Sequence, residues 1–398
     1  MDPLIDTLKP YIQGKGLDIS RKPLLKSNNY NIQKFFKEPD NFFSLKSKGI
    51  ETFDFILIDD IIQETKYHRI IIKESFYALK KGGYLIISYT PKKNKLLFEE
   101  LEKEIIFLMK DSAEIVYTYI DGNKCTIVSK KTKDNPSKPE GINNWSFGII
   151  TRGITDNIVD EIIENIREQK IPHYEIIVCG KYAGKYLNSK DVKYIYFMEK
   201  DDKGWITKKK NIICENAKYE NLFVMHDRIK LHNNWFSGMK KYGNNWEILS
   251  CIILHNGKRT YDWLSLKYPL EDIRSKCYLG SHLDYSDWDK WIYIDGGMII
   301  MKKYVWEKVP WENARYYAEA EDSKLSQDQV RYGFLIRFNP YSTCESFRFN
   351  HPYSKIMVKK NPKRYGRLIG PPHLVLAKYV RGYGLYFYYK IKEILNIK

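Results

Sequence analysis

The stretch "NLFVMHDRIKLHNNWF" is apolar from Leu222 to Met225 and then presents His226, Asp227 and Arg228. An imidazole, a carboxylate and a guanidinium at the end of an apolar strand all seek water or a ligand. A carboxylate there can hold hydroxyls or a hard cation such as Mg²⁺ or Mn²⁺, which takes oxygen ligands. The guanidinium, with Lys208, Lys209 and Lys210 of "TKKKN" nearby in sequence, suits a diphosphate through charge-assisted hydrogen bonds. The alternative for Asp227 is a simple loop cap, since strand ends often carry Asp for turn reasons. A second group lies further on, where Gly296-Gly297 precedes the apolar run "MIIM" and Glu321-Asp322 opens "EDSKLSQDQ". Adjacent carboxylates at a helix start gain from the helix dipole. One of them can take a proton from an attacking hydroxyl. An acidic helix cap with no chemistry is the competing reading.

These residues must be positioned by a large scaffold. The chain has 398 residues, 43% of them hydrophobic, which favours two domains over one. The polar run "KKTKDNPSKPEG" (130–141) separates segments of strand character and marks the boundary. Before it, "GKGLDI", "FDFILIDDII" and "KKGGYLIISYT" read as strands and "YHRIIIKESFYALKK" as a helix. "AEIVYTYIDGNKCTIVSKK" reads as a hairpin turning at Asp121-Gly122. Alternating strands and helices predict a parallel sheet closed by that hairpin. The pieces "GKGLDIS", "FDFILIDDIIQE" and "LKKGGYLIIS" resemble class I S-adenosylmethionine-dependent methyltransferases over most of residues 1–130. The glycine turn such a resemblance requires after Asp18 is replaced by "RKPLLKSNNYN". The expectation is a degenerate domain (1–133) that does not use S-adenosylmethionine and works in docking or oligomerisation.

After a linker (134–144) the pattern restarts. "SFGIIT", "HYEIIVCG" and "VKYIYFME" read as strands, and Ile158, Val159, Ile162, Ile163 and Ile166 share one face of a helix. The fold class expected is α/β, with two Rossmann-like domains. Over 145–360 the opening strand, the Asp…Gly…Asn element of "DDKGWITKKKN" and the strand ending at "HDRI" resemble family 2-like GT-A glycosyltransferases. The acceptor half, "YIDGGMIIMKK" to "EAEDSKLSQDQ", resembles β-1,4-galactosyltransferases, whose H-D-V-D motif aligns with His226 and Asp227 and leaves Ile229 in place of the last acid. The resemblance implies a nucleotide-sugar donor, a UDP-sugar foremost, held by Thr151, Asp202, Lys208, Lys209, Lys210, Asn211, His226, Asp227 and Arg228. It implies Asp322 as base for an inverting transfer, with Glu321 orienting the acceptor. It places Gly296, Gly297, Trp288 and Trp291 against the acceptor, where indoles can stack on a sugar or simply pack a core. Through "FRFNHPYSKIMVKKNP" it implies His351 and Asp227 as ligands of a Mn²⁺ or Mg²⁺ ion, whose hold is weakened by Ile229.

The tail 361–398 mixes Lys and Arg with Tyr, Phe, Leu and Ile. That composition suits either a helix at a membrane interface near a lipid-linked acceptor or a helix docked on the protein. The net charge of +17 attracts phosphates of any origin. No RNA-binding motif accompanies it, so a nucleic-acid-binding or RNA-modifying protein is the rival rather than the first reading, with an inactive scaffold as the third. Six cysteines without a C-x-x-C pair, no signal-peptide pattern and no apolar run of ~18 residues point to a cytoplasmic chain, at most peripheral to a membrane.

Overall fold

The computed structural model describes residues 3–22, 25, 30–92, 97–122, 124–266, 280–317 and 319–347. His351 and the tail 361–398 lie outside them. The chain divides into two compact units, one formed by Met1–Lys138 with Ser286–Trp288 and the other starting at Pro139. Both are α/β.

In the first unit α1 (Pro3–Leu8) precedes six strands, β1 (Gly16–Ser20), β2 (Ile32–Lys34), β3 (Phe53–Asp59), β4 (Leu79–Tyr89), β5 (Ala113–Asp121) and β6 (Lys124–Lys131). Helix α2 (His68–Ala78) links β3 to β4, and α3 (Phe98–Met109) links β4 to β5. The order is β2-β1-β3-β4-β6-β5. The first four strands are parallel, and β6 runs antiparallel to both β4 and β5. The near-continuous apolar runs of β3 and β4 follow from burial on both faces, as parallel sheets require. The helical pattern read through Lys81 stops at Ala78, because Leu79 already pairs with Phe53.

The second unit contains β7 (Asn144–Thr151), α4 (Asp156–Glu168), β8 (His173–Gly180), β9 (Val192–Tyr196), α5 (Ile206–Asn216), β10 (Asn221–His226), β11 (Ile229–Leu231), α6 (Trp235–Tyr242), β12 (Ile248–His255) and β13 (Lys258–Arg259). Then come β14 (Leu264–Leu266), β15 (Gly280–His282), β16 (Ile292–Tyr293), β17 (Met298–Lys302), α7 (Lys303–Lys308), α8 (Glu321–Tyr332) and β18 (Ile336–Ser346). The main sheet runs β11-β18-β12-β17-β10-β7-β8-β9, with β13 on β12; β15-β14-β16 form a small separate sheet. Strand β10 lies parallel to β7 and antiparallel to β17. The buried residues of α4 are Val159, Ile162, Ile163, Asn165 and Ile166, the apolar face its spacing predicts. The one polar member, Asn165, is satisfied by accepting the Leu231 N–H at 2.7 Å. Gly148 of β7 lets α5 pack closely, since a Cβ there would meet Ile213 Cγ2 at 2.2 Å. The aromatic pair that closes "HDRIKLHNNWF" is core. Trp235 meets Trp145 edge-on at 4.9 Å and stacks on Phe223 at 5.3 Å.

Candidate active site

The ladder of β10 decides where the His-Asp-Arg triplet falls. His226 pairs in register with Ile150, its N–H donates to Gly297 O at 3.0 Å, and Asp227 N–H donates to Ile150 O at 3.2 Å. Asp227 is thus fixed at the ends of β7 and β10, the edge of a parallel sheet where ligands bind. Its Oδ2 accepts the hydroxyls of Thr151 at 2.8 Å and Thr155 at 2.6 Å. Thr155 is the N-cap of α4, yet its hydroxyl makes no capping bond and is given to Asp227 instead. Sequence reasoning found Thr151 and missed Thr155; the only signal was a cap residue one helix turn from another threonine in "TRGIT".

The lysine cluster behaves differently from the expectation. Lys209 is buried and donates to Thr151 O at 2.8 Å and Asp201 Oδ1 at 2.6 Å. Lys210 is buried and donates to Gly296 O at 3.0 Å and Glu321 Oε1 at 3.1 Å. Neither ammonium is available to a diphosphate, because helical spacing on α5 turns both inward; Lys208 alone keeps appreciable surface. Asp202 is exposed, and the acid that organises the site is its neighbour Asp201, bound by Lys209 and by Arg152 Nε at 3.0 Å. Asn211 also has no capacity left for a donor. Its amide donates to Trp311 O and Asn313 Oδ1, both at 2.8 Å, and its oxygen accepts Trp306 Nε1 and Trp311 N, which satisfies all four positions.

Gly296-Gly297 is where the two halves of the site meet. The Gly296 N–H donates to Asp322 Oδ2 at 2.9 Å, and the Ser323 N–H donates to Asp322 Oδ1 at 2.7 Å. A Cβ on Gly296 would lie 2.5 Å from Glu321 Oε1 and 3.2 Å from Asp322 Cβ. The space expected for an acceptor sugar at Gly296 is therefore filled by the acidic pair itself. A Cβ on Gly297 would approach Arg228 Nη2 at 3.4 Å. Glu321 is buried against Lys210. Trp288 is 4% exposed and so has no free face to stack on a sugar, while half-buried Trp291 packs against the Leu264–Tyr293 cluster. For both indoles core packing is the observed role.

Three carboxylates, Asp295, Glu321 and Asp322, crowd this turn. Loss of water pushes the Asp322 carboxyl up to about 7, helped by the charges of Glu321 and Asp295 and opposed by the Gly296 and Ser323 N–H groups. Asp295 is also raised, chiefly by burial; Arg228 and the Gly297 N–H pull the other way. Burial, then the charges of Lys210, Arg228 and Lys209, holds His226 well below the ordinary histidine range, so its imidazole is neutral. Among the described residues His226 Nε2 and Arg228 Nε are buried without a hydrogen bond.

The described residues do not fit a divalent cation. Asp227 Oδ2 is occupied by two hydroxyls, Ile229 stands buried where a second acid would be, and no three His, Cys, Asp or Glu side chains among the described residues form a metal-holding group. Among the same residues no helix is long and apolar enough to cross a membrane.

No protein-family profile matches the chain, and no curated protein sequence does. Among solved structures it is similar to S. aureus TarS at 12% identity, over 50% of this chain and 60% of that one, with a TM-score of 0.37. It is similar to GalNAc-T7, solved with UDP, GalNAc and Mn²⁺, at 11% identity over 55% of this chain and 48% of that one, with a TM-score of 0.37. A SAM-dependent methyltransferase from Thermotoga maritima is similar at 18% identity over 32% of this chain and 87% of that one, with a TM-score of 0.24.

Proposed function

We propose that the chain is a glycosyltransferase. Its second unit would bind a nucleotide-diphosphate sugar, a UDP-sugar foremost, and transfer the sugar with inversion to a hydroxyl of a glycan or lipid-linked acceptor. One observation carries this reading: the strand that ends before Asp227 and the helix that starts at Glu321-Asp322 both bond to the backbone of one Gly-Gly turn. Asp322 is bonded to Gly296 N at 2.9 Å, and the backbone of the Asp227 strand is bonded to Gly297 O at 3.0 Å. A donor held beside Asp227 would then present its sugar toward Asp322, whose carboxyl is pushed up to about 7. In the transfer, the acceptor oxygen forms a bond to C1 as the C1–O bond to the diphosphate breaks. The bonding pair leaves with the phosphate oxygen, and Asp322 takes the acceptor proton. Glu321, pinned by Lys210, keeps Asp322 at the turn and its affinity for protons high.

The test is a thermal-shift screen of the full chain against nucleotide sugars, followed by a transfer assay with the stabilising donor. A donor that raises the melting temperature and is consumed only when Asp322 is intact supports the reading. A chain that no nucleotide sugar stabilises and that consumes none would sink it.

A further inference from the structure

We infer that Arg228 is the cation that receives the donor's diphosphate, and that this site binds a nucleoside diphosphate without a divalent metal. The inference rests on the nucleotide-sugar reading above and names the group that would neutralise the phosphates.

Consider which positive charges the site has available. Lys209 is committed to Asp201, and Lys210 to Glu321. The His226 imidazole is neutral. Arg228 is different. Its backbone is fixed on both sides, with its N–H donating to His226 O at 2.7 Å and its carbonyl accepting the Phe347 N–H at 2.8 Å. Its guanidinium lies beside the Gly297 backbone, next to the turn that carries Asp322. Among the described residues that guanidinium has no hydrogen bond and no ion pair, and its Nε is enclosed. Buried Asp295 feels its charge, but the guanidinium lacks hydrogen bonds among these residues, and an anion at the site would supply them. The planar fork of arginine matches phosphate oxygens better than a point charge does.

The metal alternative would need several oxygen ligands brought together, and no three His, Cys, Asp or Glu side chains among the described residues form such a group. Asp227 contributes one carboxylate whose Oδ2 already accepts two hydroxyls. The next candidate position is Ile229, whose side chain is buried in the sheet. Arg228 thus supplies charge on the same strand end at which the second acid is absent.

The experiment is calorimetric titration of the full chain with UDP, GDP and CDP, each in EDTA and again with Mn²⁺, followed by the monophosphate of whichever base binds best. The expected result is diphosphate affinity within about twofold in the two buffers. Arg228→Gln should weaken the diphosphate about 10- to 100-fold, the size of one charge-assisted contact. It should leave the monophosphate far less affected, while Arg228→Lys falls between. Melting curves establish that each variant is folded, and if Arg228→Gln is not, Arg228→Lys decides on the same ratio. Binding abolished by EDTA and restored by Mn²⁺, with Arg228→Gln unaffected, would show that a cation carries the diphosphate. His351→Ala would then identify its ligand, and the glycosyltransferase reading would stand. If no nucleoside diphosphate binds in either buffer, that reading fails and the role of Arg228 fails with it.

Discussion

At the ends of their parallel strands the two units carry similar polar residues and treat them in opposite ways. In the first, Asp59 at the end of β3 is ion-paired with Lys124 at 3.0 Å, and Asp60 accepts the Thr90 N–H at 2.8 Å. Beyond β1, Arg21 is bridged to Glu38 and Glu64. In the second, Asp227 is clamped by threonines, while among the described residues His226 Nε2 and Arg228 Nε have no hydrogen-bond partner. The charged groups at these strand ends therefore differ in whether they are ion-paired, although the Tyr89 hydroxyl at the end of β4 is also buried without a hydrogen bond among the described residues. Matched groups hold a structure together, and a buried polar group without a partner costs roughly 1–3 kcal/mol.

The sharpest way to break this contrast is Asp322→Asn. The amide keeps the shape but cannot accept a proton, so transfer should fall about 10²–10⁴-fold while donor affinity by titration changes little. Near-normal turnover on a verified acceptor would reduce Asp322 to a helix cap. Next in size is Lys210→Met, which strands buried Glu321 without its ammonium. Loss of one partner of a buried pair costs about 3–5 kcal/mol, measurable by urea unfolding, whereas Lys208→Ala should stay within about 0.5 kcal/mol. Equal effects from the two lysines would refute the inward placement of Lys210.

A third expectation concerns pH. Because Asp322 in the folded chain is pushed up to about 7, transfer should decline as pH falls below 7, and Asp322→Asn should remove that limb from any residual activity. The linkage has a definite sign. A folded-state pKa raised above the ordinary value of 3.8 means the folded form holds the proton more tightly, so the group stabilises below about 4 and that contribution is lost as pH rises through 7. Stability relative to wild type should therefore shift in favour of Asp322→Asn between pH 5 and pH 8, read by melting temperature. An unchanged difference would mean that the carboxyl is not desolvated. The smallest effect is expected in the first unit, where S-adenosylmethionine titrated into the full chain should give no micromolar binding; a clear isotherm would show that its strand ends are not closed after all.

Much of this architecture was legible in the sequence. Periodicity located β7, α4, β8 and β9, and the hairpin of β5 and β6 turns where Asp121-Gly122 predicts. The helix starting at Glu321 and the strand ending at His226 were readable because caps and apolar runs are local signals. What escaped was partner choice. Lys209 and Lys210 looked like phosphate contacts because a sequence shows charge but not its partner, which is Asp201 eight positions before Lys209 and Glu321 111 positions after Lys210. Asn211 looked like a ligand-binding amide, and Asp202 was taken for its buried neighbour Asp201. Gly296 was read as room for a sugar, whereas the occupant is a side chain from α8. The misses at Lys210, Asn211 and Gly296 concern long-range contacts, which depend on topology and not on the residue's own type. Strand β18 was missed for a related reason: Pro340 and a register shift against β12 interrupt its pattern.

The strand order has a consequence for how the molecule assembles. Strands β7, β8, β9 and β10 are joined by short crossovers and can pair as soon as they exist, whereas β18 joins Leu231 to Cys344 and must enter between β11 and β12. Closing so long a loop is slow compared with local pairing. We expect Asp227 and its threonine clamps to be in place first and the base on α8 to arrive last, so pulse-labelled amide exchange should protect β7 and β8 before β12 and β18. Until β17 docks, β10 offers an unpaired apolar edge, and that interval is when the growing chain is most exposed to aggregation.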